Sequence, residues 1–431
     1  MYQGFFKLHH RPSASYIGEV PMAESREVTT TPSLELLDPF YRPIMVEPYT
    51  VFDSKQLNDN LPLFFDDQEV SGAGTSSVHT PALASTRLSV TDATAGKRVR
   101  QTFQSFNYQP GKGQQGIFTF TMSGNADGCV KEVGMMDDDN GVFFRMNGAN
   151  PEFVIRSSTS GSPVDNVITR NNWNKDKMDG IFPTDSDIDL DLAQDQILFI
   201  GFEWLGVGSV TFGFFFDGKP IIAHQEHHAN KINTVYMSTP NLPIRYSIEN
   251  TGSGPAGWVD HICSTIISYG GVQPGGVIRS VDRGITEFST GNNTGLYPVI
   301  SIRKKTSYES AVIDLKNYTA MDSSVGTAIY KYAIILNPTI VGVDNASWQS
   351  VPNSAIEYDI SRDNAGTISG GTVVISGYIA GNRASVSEKL SSPLRLGTAI
   401  DGTRDEFCLC MQNVVAANND FFGSLSWREL L

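Results

Sequence analysis

The run His224-Gln-Glu226-His227-His228 gathers three of the chain's seven histidines and a carboxylate at the end of a strand-like segment, a donor set suited to a transition metal. On a strand of period two, His224, Glu226 and His228 share one face and His227 points away. Side chains two apart stand roughly 6 to 7 Å from one another along such a strand, so three ligands from one strand converge poorly. Asp185, Asp187, Asp189 and Asp191 alternate as the hard oxygen donors of a calcium loop do. The EF-hand pattern nevertheless fails, because Leu190 stands where its sharp-turn glycine belongs and Gln196 where its bidentate glutamate belongs. The expectation is a solvated acidic loop and no bound metal.

Glu357-x-Asp359 places two carboxylates on one strand face, the start of a glycosidase arrangement. Ile360-Ser361-Arg362 follows, so no second glutamate completes the set. Gly111-Lys-Gly-Gln-Gln-Gly116 matches the dinucleotide fingerprint in letters only, since Pro110 precedes it and the strand-like Ile117-Phe-Thr-Phe-Thr-Met122 follows where a helix is required. There is no Gly-x-Ser-x-Gly elbow, phosphate-binding loop or His-Glu-x-x-His helix. The sequence is therefore expected to be non-enzymatic and to carry no cofactor. Trp173, in the loop before the acidic stretch, is the expected platform if the chain binds a sugar.

These residues must be held by strands. The segment from Gln196 to Phe216 is rich in Phe, Ile and Val, is broken by glycine at 201, 206, 208 and 213, and ends at the hairpin signal Asp217-Gly218. Its length approaches that of a membrane helix, but its composition is that of two antiparallel strands. Short strands separated by turn residues continue from about Arg98 to Ser268, and a second set runs from Leu296 to Arg428. The expected fold is all-β: a jelly-roll, concanavalin-like sandwich over residues 95–270, a glycine-rich linker over 271–295 and a C-terminal β-sandwich over 296–431. Residues 1–94 lack sustained periodicity and read as an extended arm. Its aromatic knots, Phe5-Phe6, Phe40-Tyr41 and Phe64-Phe65, are the expected anchors on a neighbouring surface.

Bulk composition narrows the partners. The 431 residues carry a formal net charge of −14, which repels nucleic acid and anionic lipid, so neither is expected as a partner. The first ten residues hold no continuous apolar segment of the signal-peptide kind, and synthesis in a cytoplasm is expected. Cys129, Cys263, Cys408 and Cys410 are expected as buried free thiols.

The stretches Arg100-Gln-Thr-Phe-Gln-Ser-Phe-Asn-Tyr-Gln-Pro-Gly-Lys112, Phe202-Glu-Trp-Leu-Gly-Val-Gly208 and Phe422-Gly-Ser-Leu-Ser-Trp427 resemble a family of virion structural proteins from tailed bacteriophages and related large DNA viruses. The resemblance extends more loosely from about Leu61 to the C-terminus. It implies a jelly-roll component of a tail, head fibre or capsid, assembled in the host cytoplasm into the virion, with no catalytic residues to carry over. The implied partners are other virion proteins and further copies of the chain. A lectin-like adhesin recognising a host surface glycan is the alternative expectation.

Overall fold

The computed structural model describes residues 48–124, 126–181, 186–271 and 275–430. Among them there is no α-helix, and no helix long and apolar enough to cross a membrane. The first fifteen strands are β1 (Tyr49–Lys55), β2 (Phe65–Gly72), β3 (Thr75–Thr80), β4 (Ser85–Val90), β5 (Gly96–Thr102), β6 (Gln114–Met122), β7 (Cys129–Met136) and β8 (Gly141–Asn147), then β9 (Asn150–Ser157), β10 (Val164–Thr169), β11 (Gln196–Phe202), β12 (Ser209–Phe216), β13 (Lys219–His227), β14 (Ile244–Asn250) and β15 (Gly257–Ser268). They form an eight-stranded sheet, β13-β12-β11-β6-β15-β4-β3 with β1 also on β15, and a seven-stranded sheet, β10-β9-β8-β7-β14-β5-β2. All pairings are antiparallel.

Period-two alternation fills the space between the sheets. Phe118, Phe120, Leu198, Ile200, Phe212 and Phe214 of one sheet meet Val133, Met135, Phe144, Phe153, Tyr246 and Ile248 of the other, all of them buried. Phe153 on β9 stacks on Phe212 of β12 at 4.5 Å between ring centroids, and Phe118 on β6 meets Tyr246 of β14 edge-on at 6.5 Å. Each such ring withdraws about 1.5 to 3 kcal/mol of apolar surface from water. The run read as Gln196–Phe216 is β11 and β12, closed onto β13 by a two-residue turn in which Asp217 and Gly218 have φ of 49° and 73°, as a type I′ hairpin demands.

The remaining strands are β16 (Val277–Asp282), β17 (Phe288–Asn293), β18 (Leu296–Lys304), β19 (Val312–Asp322), β20 (Ile329–Gly342), β21 (Gln349–Ser350), β22 (Ile356–Asp359), β23 (Gly366–Ala380), β24 (Ser385–Leu396), β25 (Glu406–Asn413) and β26 (Ala417–Leu430). One sheet runs β16-β26-β19-β24 with β17 also on β26, the other β21-β22-β18-β25-β20-β23. Their shared core holds Ile302, Leu315, Tyr318, Tyr330, Ile334, Leu409, Phe421, Leu425 and Trp427. The two cores are separate, but the sandwiches touch: the Thr398 backbone N–H donates to the Phe103 carbonyl at 2.8 Å, and that of Ile400 to Asp66 Oδ2 at 2.8 Å.

Two expectations about organisation change. Residues 49–90, assigned to the arm, form β1 to β4 of the first sandwich, and 277–293, assigned to the linker, form β16 and β17 on β26. Both groups lie at or near sheet edges, where strands bury one face at most and so carry polar residues such as Asp66, Asp67, Glu69, Arg279 and Asp282. Phe65 is not an anchor on a neighbour: it is 2% exposed in the first core, edge-on to His261 at 5.0 Å. Phe64 is 46% exposed and packs against Phe52 at 6.1 Å. Phe5, Phe6, Phe40 and Tyr41 lie outside the described residues.

Candidate functional site

One end of the first sandwich carries the connections β5–β6, β11–β12 and β13–β14, and the β18–β19 connection of the second sandwich closes over them. Together they enclose a cleft of about 380 Å³ lined by Tyr108, Trp204 and Tyr308, by Asn107 and Asn241, and by the small hydroxyls of this loop cluster. Its volume lies within the usual range of roughly 300 to 1,000 Å³ for small-molecule sites.

Each wall is fixed from below. The segment after β5 is zipped to the one before β14: the Phe106 N–H donates to the Leu242 carbonyl at 3.0 Å, and the Tyr108 N–H to Asn241 Oδ1 at 2.9 Å. That leaves the Asn241 amide N–H2 with no protein partner among the described residues. Tyr108 rests on Phe202 at 5.8 Å with nearly parallel rings. Burial first, and the nearby Glu203 after it, push the Tyr108 phenol up, so it stays a neutral hydroxyl at ordinary pH. Trp204 sits in the glycine-rich turn Glu203–Gly208, closed by Gly208 N–H to the Trp204 carbonyl at 2.8 Å. Gly206 has φ of 78° there and accepts from the Tyr236 N–H at 2.9 Å. The indole N–H of Trp204 donates to the Met237 carbonyl at 2.9 Å, which fixes the ring edge and leaves a half-buried face for the cleft. Tyr308 comes from a one-turn 3₁₀ segment, Thr306–Tyr308, and is 38% exposed.

The cleft lining contains no ionisable acid or base other than the two tyrosines. Such a site offers aromatic faces to C–H surfaces, with amides and hydroxyls for hydroxyl groups. Its chemistry suits a neutral, polar ligand.

Ser310 also lines a second, more polar cleft of about 190 Å³, which reaches the outer face of the seven-stranded sheet through Arg245, Gln101 and Asp137 to Asp139. On that face the register sets Ser247, Glu132, Arg145 and Glu152 side by side on β14, β7, β8 and β9. Arg145 Nε donates to Glu152 at 2.8 Å and its Nη1 to Asp165 at 2.8 Å, while Ser247 Oγ donates to Glu132 at 2.9 Å. Arg156 Nε completes the lattice on Asp165 at 2.8 Å. Burial alone would push Asp165 up, but Arg156 and Arg145 hold it below the usual carboxylate range. These carboxylates are committed to arginines and serve to hold the face together.

The structure disperses the groups singled out in the sequence. Trp173 is 3% exposed and stacks on Phe153 at 4.4 Å, so it belongs to the core and is no sugar platform. His224 and His228 are both buried but part company. His224 Nδ1 accepts from the Asn174 N–H at 3.3 Å, which leaves its Nε2 proton facing Glu226 at 3.5 Å, whereas His228 stacks on Tyr236 at 4.3 Å and bonds the Gly208 carbonyl at 2.9 Å. Asp187 stands at a φ of 58°, Asp189 pairs with Arg170 at 3.1 Å, and Asp185 lies outside the described residues. No group of three metal-ligating side chains occurs among the described residues. Glu357 accepts from Arg303 Nε and from Arg404 at 2.9 Å, and Asp359 caps the Ser347 N–H at 2.8 Å, so both are structural carboxylates of the second sandwich. Gly111 lies in the crossover from β5 in one sheet to β6 in the other and Gly116 lies within β6, so the stretch is neither a hairpin turn nor the start of a helix. All four cysteines are free, and Cys263 is only half-buried.

No family model and no curated protein matches the chain. Solved structures do match over about half of it. An endo-acting O-glycanase structure from the human gut microbiota is 9% identical over 51% of this chain and 99% of its own, with a TM-score of 0.34. The legume lectin-like domain from Entamoeba histolytica is 9% identical over 53% of this chain and 100% of its own, with a TM-score of 0.31. A mixed-linkage glucan GH16 protein of Bacteroides ovatus, solved with its product, is 9% identical over 50% of this chain and 99% of its own, with a TM-score of 0.33. Likenesses this low assign no activity to this chain. They do correct one expectation: structures matched to this fold include glycanases, so a sandwich without a recognised motif is no ground for calling the chain non-enzymatic. None of the three is a virion structural protein.

Proposed function

We propose that the chain is a carbohydrate-binding β-sandwich protein whose ligand occupies the cleft between Tyr108, Trp204 and Tyr308. The observation that carries this reading is the pairing of aromatic walls with amide and hydroxyl groups, one of them the unpartnered Asn241 amide, in a cleft free of charged side chains. Sugar rings present apolar C–H faces and hydroxyl edges, and this lining complements both. The ligand class is a neutral glycan, because neither an ammonium nor a carboxylate substituent would find an opposite charge there.

A glycan array probed with the intact protein tests the reading, followed by titration of any hit against Trp204→Ala and Tyr308→Ala. Losing one ring contact of about 1 kcal/mol weakens affinity roughly five- to tenfold. A blank array, or a hit untouched by both substitutions, would sink it. The resemblance to virion proteins adds a setting for such binding, attachment of a particle to a host surface glycan. Incorporation of a tagged chain into purified particles tests that setting separately.

A further inference from the structure

We infer that β23 is a self-pairing edge through which two copies of this chain join their second sandwiches. β23 is bonded to β20 along one side and ends its sheet, so its other side presents unpaired backbone groups over Gly366–Ala380. Fifteen residues is long for an exposed edge, and the strand reads Gly-Thr-Ile-Ser-Gly-Gly-Thr-Val-Val-Ile-Ser-Gly-Tyr-Ile-Ala, without one charged residue. Free edges are ordinarily kept apart by charge, proline or brevity.

The other sheet ends of this molecule obey that rule. Lys219 and Glu226 mark β13, Asp66, Asp67 and Glu69 mark β2, Asp165 marks β10, Arg279 and Asp282 mark β16, and Glu388, Lys389 and Arg395 mark β24. β3 and β17 are uncharged but six residues long, and β21 has two residues. Only at β23, among the described edges, do length and neutrality coincide. Apolar side chains gather there as well: Val373 and Tyr378 are 52% and 69% exposed, beside Ile329, Val341 and Val343 at 53% or more.

Neutrality argues for a second copy in particular. Two identical strands related by a two-fold axis pair antiparallel, residue i meeting residue j as j meets i, so a charge on or beside the axis meets its own copy. A strand with no charge pairs with itself in that arrangement without penalty. Symmetric edge pairing would merge the two β23 sheets into one continuous sheet and bury Val373 and Tyr378 of both copies.

Sedimentation velocity of the intact chain over a wide concentration range tests this, with Val373→Lys/Tyr378→Lys and Val373→Thr/Tyr378→Thr alongside. The expected result is a dimer for the natural chain and for the threonine pair, and a monomer of unchanged circular dichroism for the lysine pair. Hydrogen exchange provides a readout that needs no variant: dilution should speed exchange within Gly366–Ala380 and leave β18 and β25 unchanged. A monomer at every concentration, an assembly of three or more copies, or a dimer indifferent to the lysines and to dilution at β23 would overturn the inference.

Discussion

His261 should make the first sandwich acid-sensitive in a way that one substitution removes. The imidazole is fully buried on β15, stacked on Tyr246 at 4.1 Å. A guanidinium has donors only, so the contact of Arg100 Nε with His261 Nδ1 at 3.2 Å makes Nδ1 the acceptor and leaves the ring proton on Nε2, which donates to Ser264 Oγ at 2.9 Å. Protonating Nδ1 would break that bond and set two cations together. Burial first, and the Arg100 charge after it, therefore push the His261 pKa well below its ordinary 6.5. As the pH falls through 6.5 the unfolded chain takes up a proton that the folded chain refuses. Stability contributed by this site is complete above 6.5 and is lost below it, by about 1.4 kcal/mol per pH unit until the folded imidazole itself titrates. His261→Gln keeps an acceptor for Arg100 and a donor for Ser264 but cannot titrate. Denaturant unfolding of both proteins at pH 7.5, 6.5, 5.5 and 5.0 should show the stability gap shift by about 1 kcal/mol in the variant's favour between 6.5 and 5.5, as the unfolded imidazole goes from half to mostly protonated. Parallel pH profiles would refute the assignment of the neutral tautomer and its depressed pKa.

Asp67→Asn should destabilise the first sandwich by about 3 to 5 kcal/mol in the same assay, because the carboxylate balances the buried Arg100 at 3.4 Å and Arg98 at 2.6 Å. Trp173→Ala should cost about 3 to 5 kcal/mol of stability, through the cavity left beside Phe153, while any glycan that binds the folded variant does so with unchanged affinity. Glu357→Gln should lower the stability of the second sandwich, since Arg303 and Arg404 lose their shared partner, and should leave any glycan turnover by the chain unchanged in a reducing-sugar assay.

What the sequence discloses depends on how much of its meaning is local. The β11–β12–β13 hairpins are legible because branched and aromatic residues alternate, glycine breaks the run, and Asp217-Gly218 can adopt the two positive φ angles that join the strands. β1 to β4 are not legible by the same rule, because an edge strand such as β2, with Asp66, Asp67 and Glu69, satisfies its polar side chains by pairing with Arg98 and with loop backbone from the other sandwich. Trp173 looks like a sugar platform because the acidic residues around it suggest exposure, yet a neighbouring stretch of chain carries it beneath Phe153. His224 and His228 share a face in an ideal strand, but β13 ends at His227, so His228 leaves the ladder and the two take different partners. The cleft is the least legible feature. Tyr108, Trp204 and Tyr308 are far apart in sequence: the first two meet at one end of the first sandwich, and Tyr308 joins them only because the second sandwich abuts it. The one local cue is a tryptophan inside a glycine-rich turn, where the backbone is shaped for a tight loop and the large ring must be placed at its surface.

That dependence on two sandwiches makes the junction part of the site. Lys304, at the end of β18, is 1% exposed, and its ammonium donates to the Glu309 carbonyl at 2.5 Å, bridging the loop that carries Tyr308. Burial pushes its pKa down to about 8, against the pull of Asp405 and Glu309, so the charge is retained at neutral pH at a cost. Asp405 in turn accepts the Gly397 N–H at 2.7 Å, and Gly397 lies so close to Phe103 that a Cβ there would stand 2.5 Å from the Phe103 Cβ. Only glycine permits that approach, and the next residue, Thr398, makes the hydrogen bond to Phe103. The loop bearing one aromatic wall and the segment leading to another are thus held to a single fixed point. Lys304 fixes the β18–β19 loop from inside the second sandwich, and Gly397 with Thr398 brings that sandwich against Phe103 of the first, so the separation of the cleft's two walls follows from these contacts.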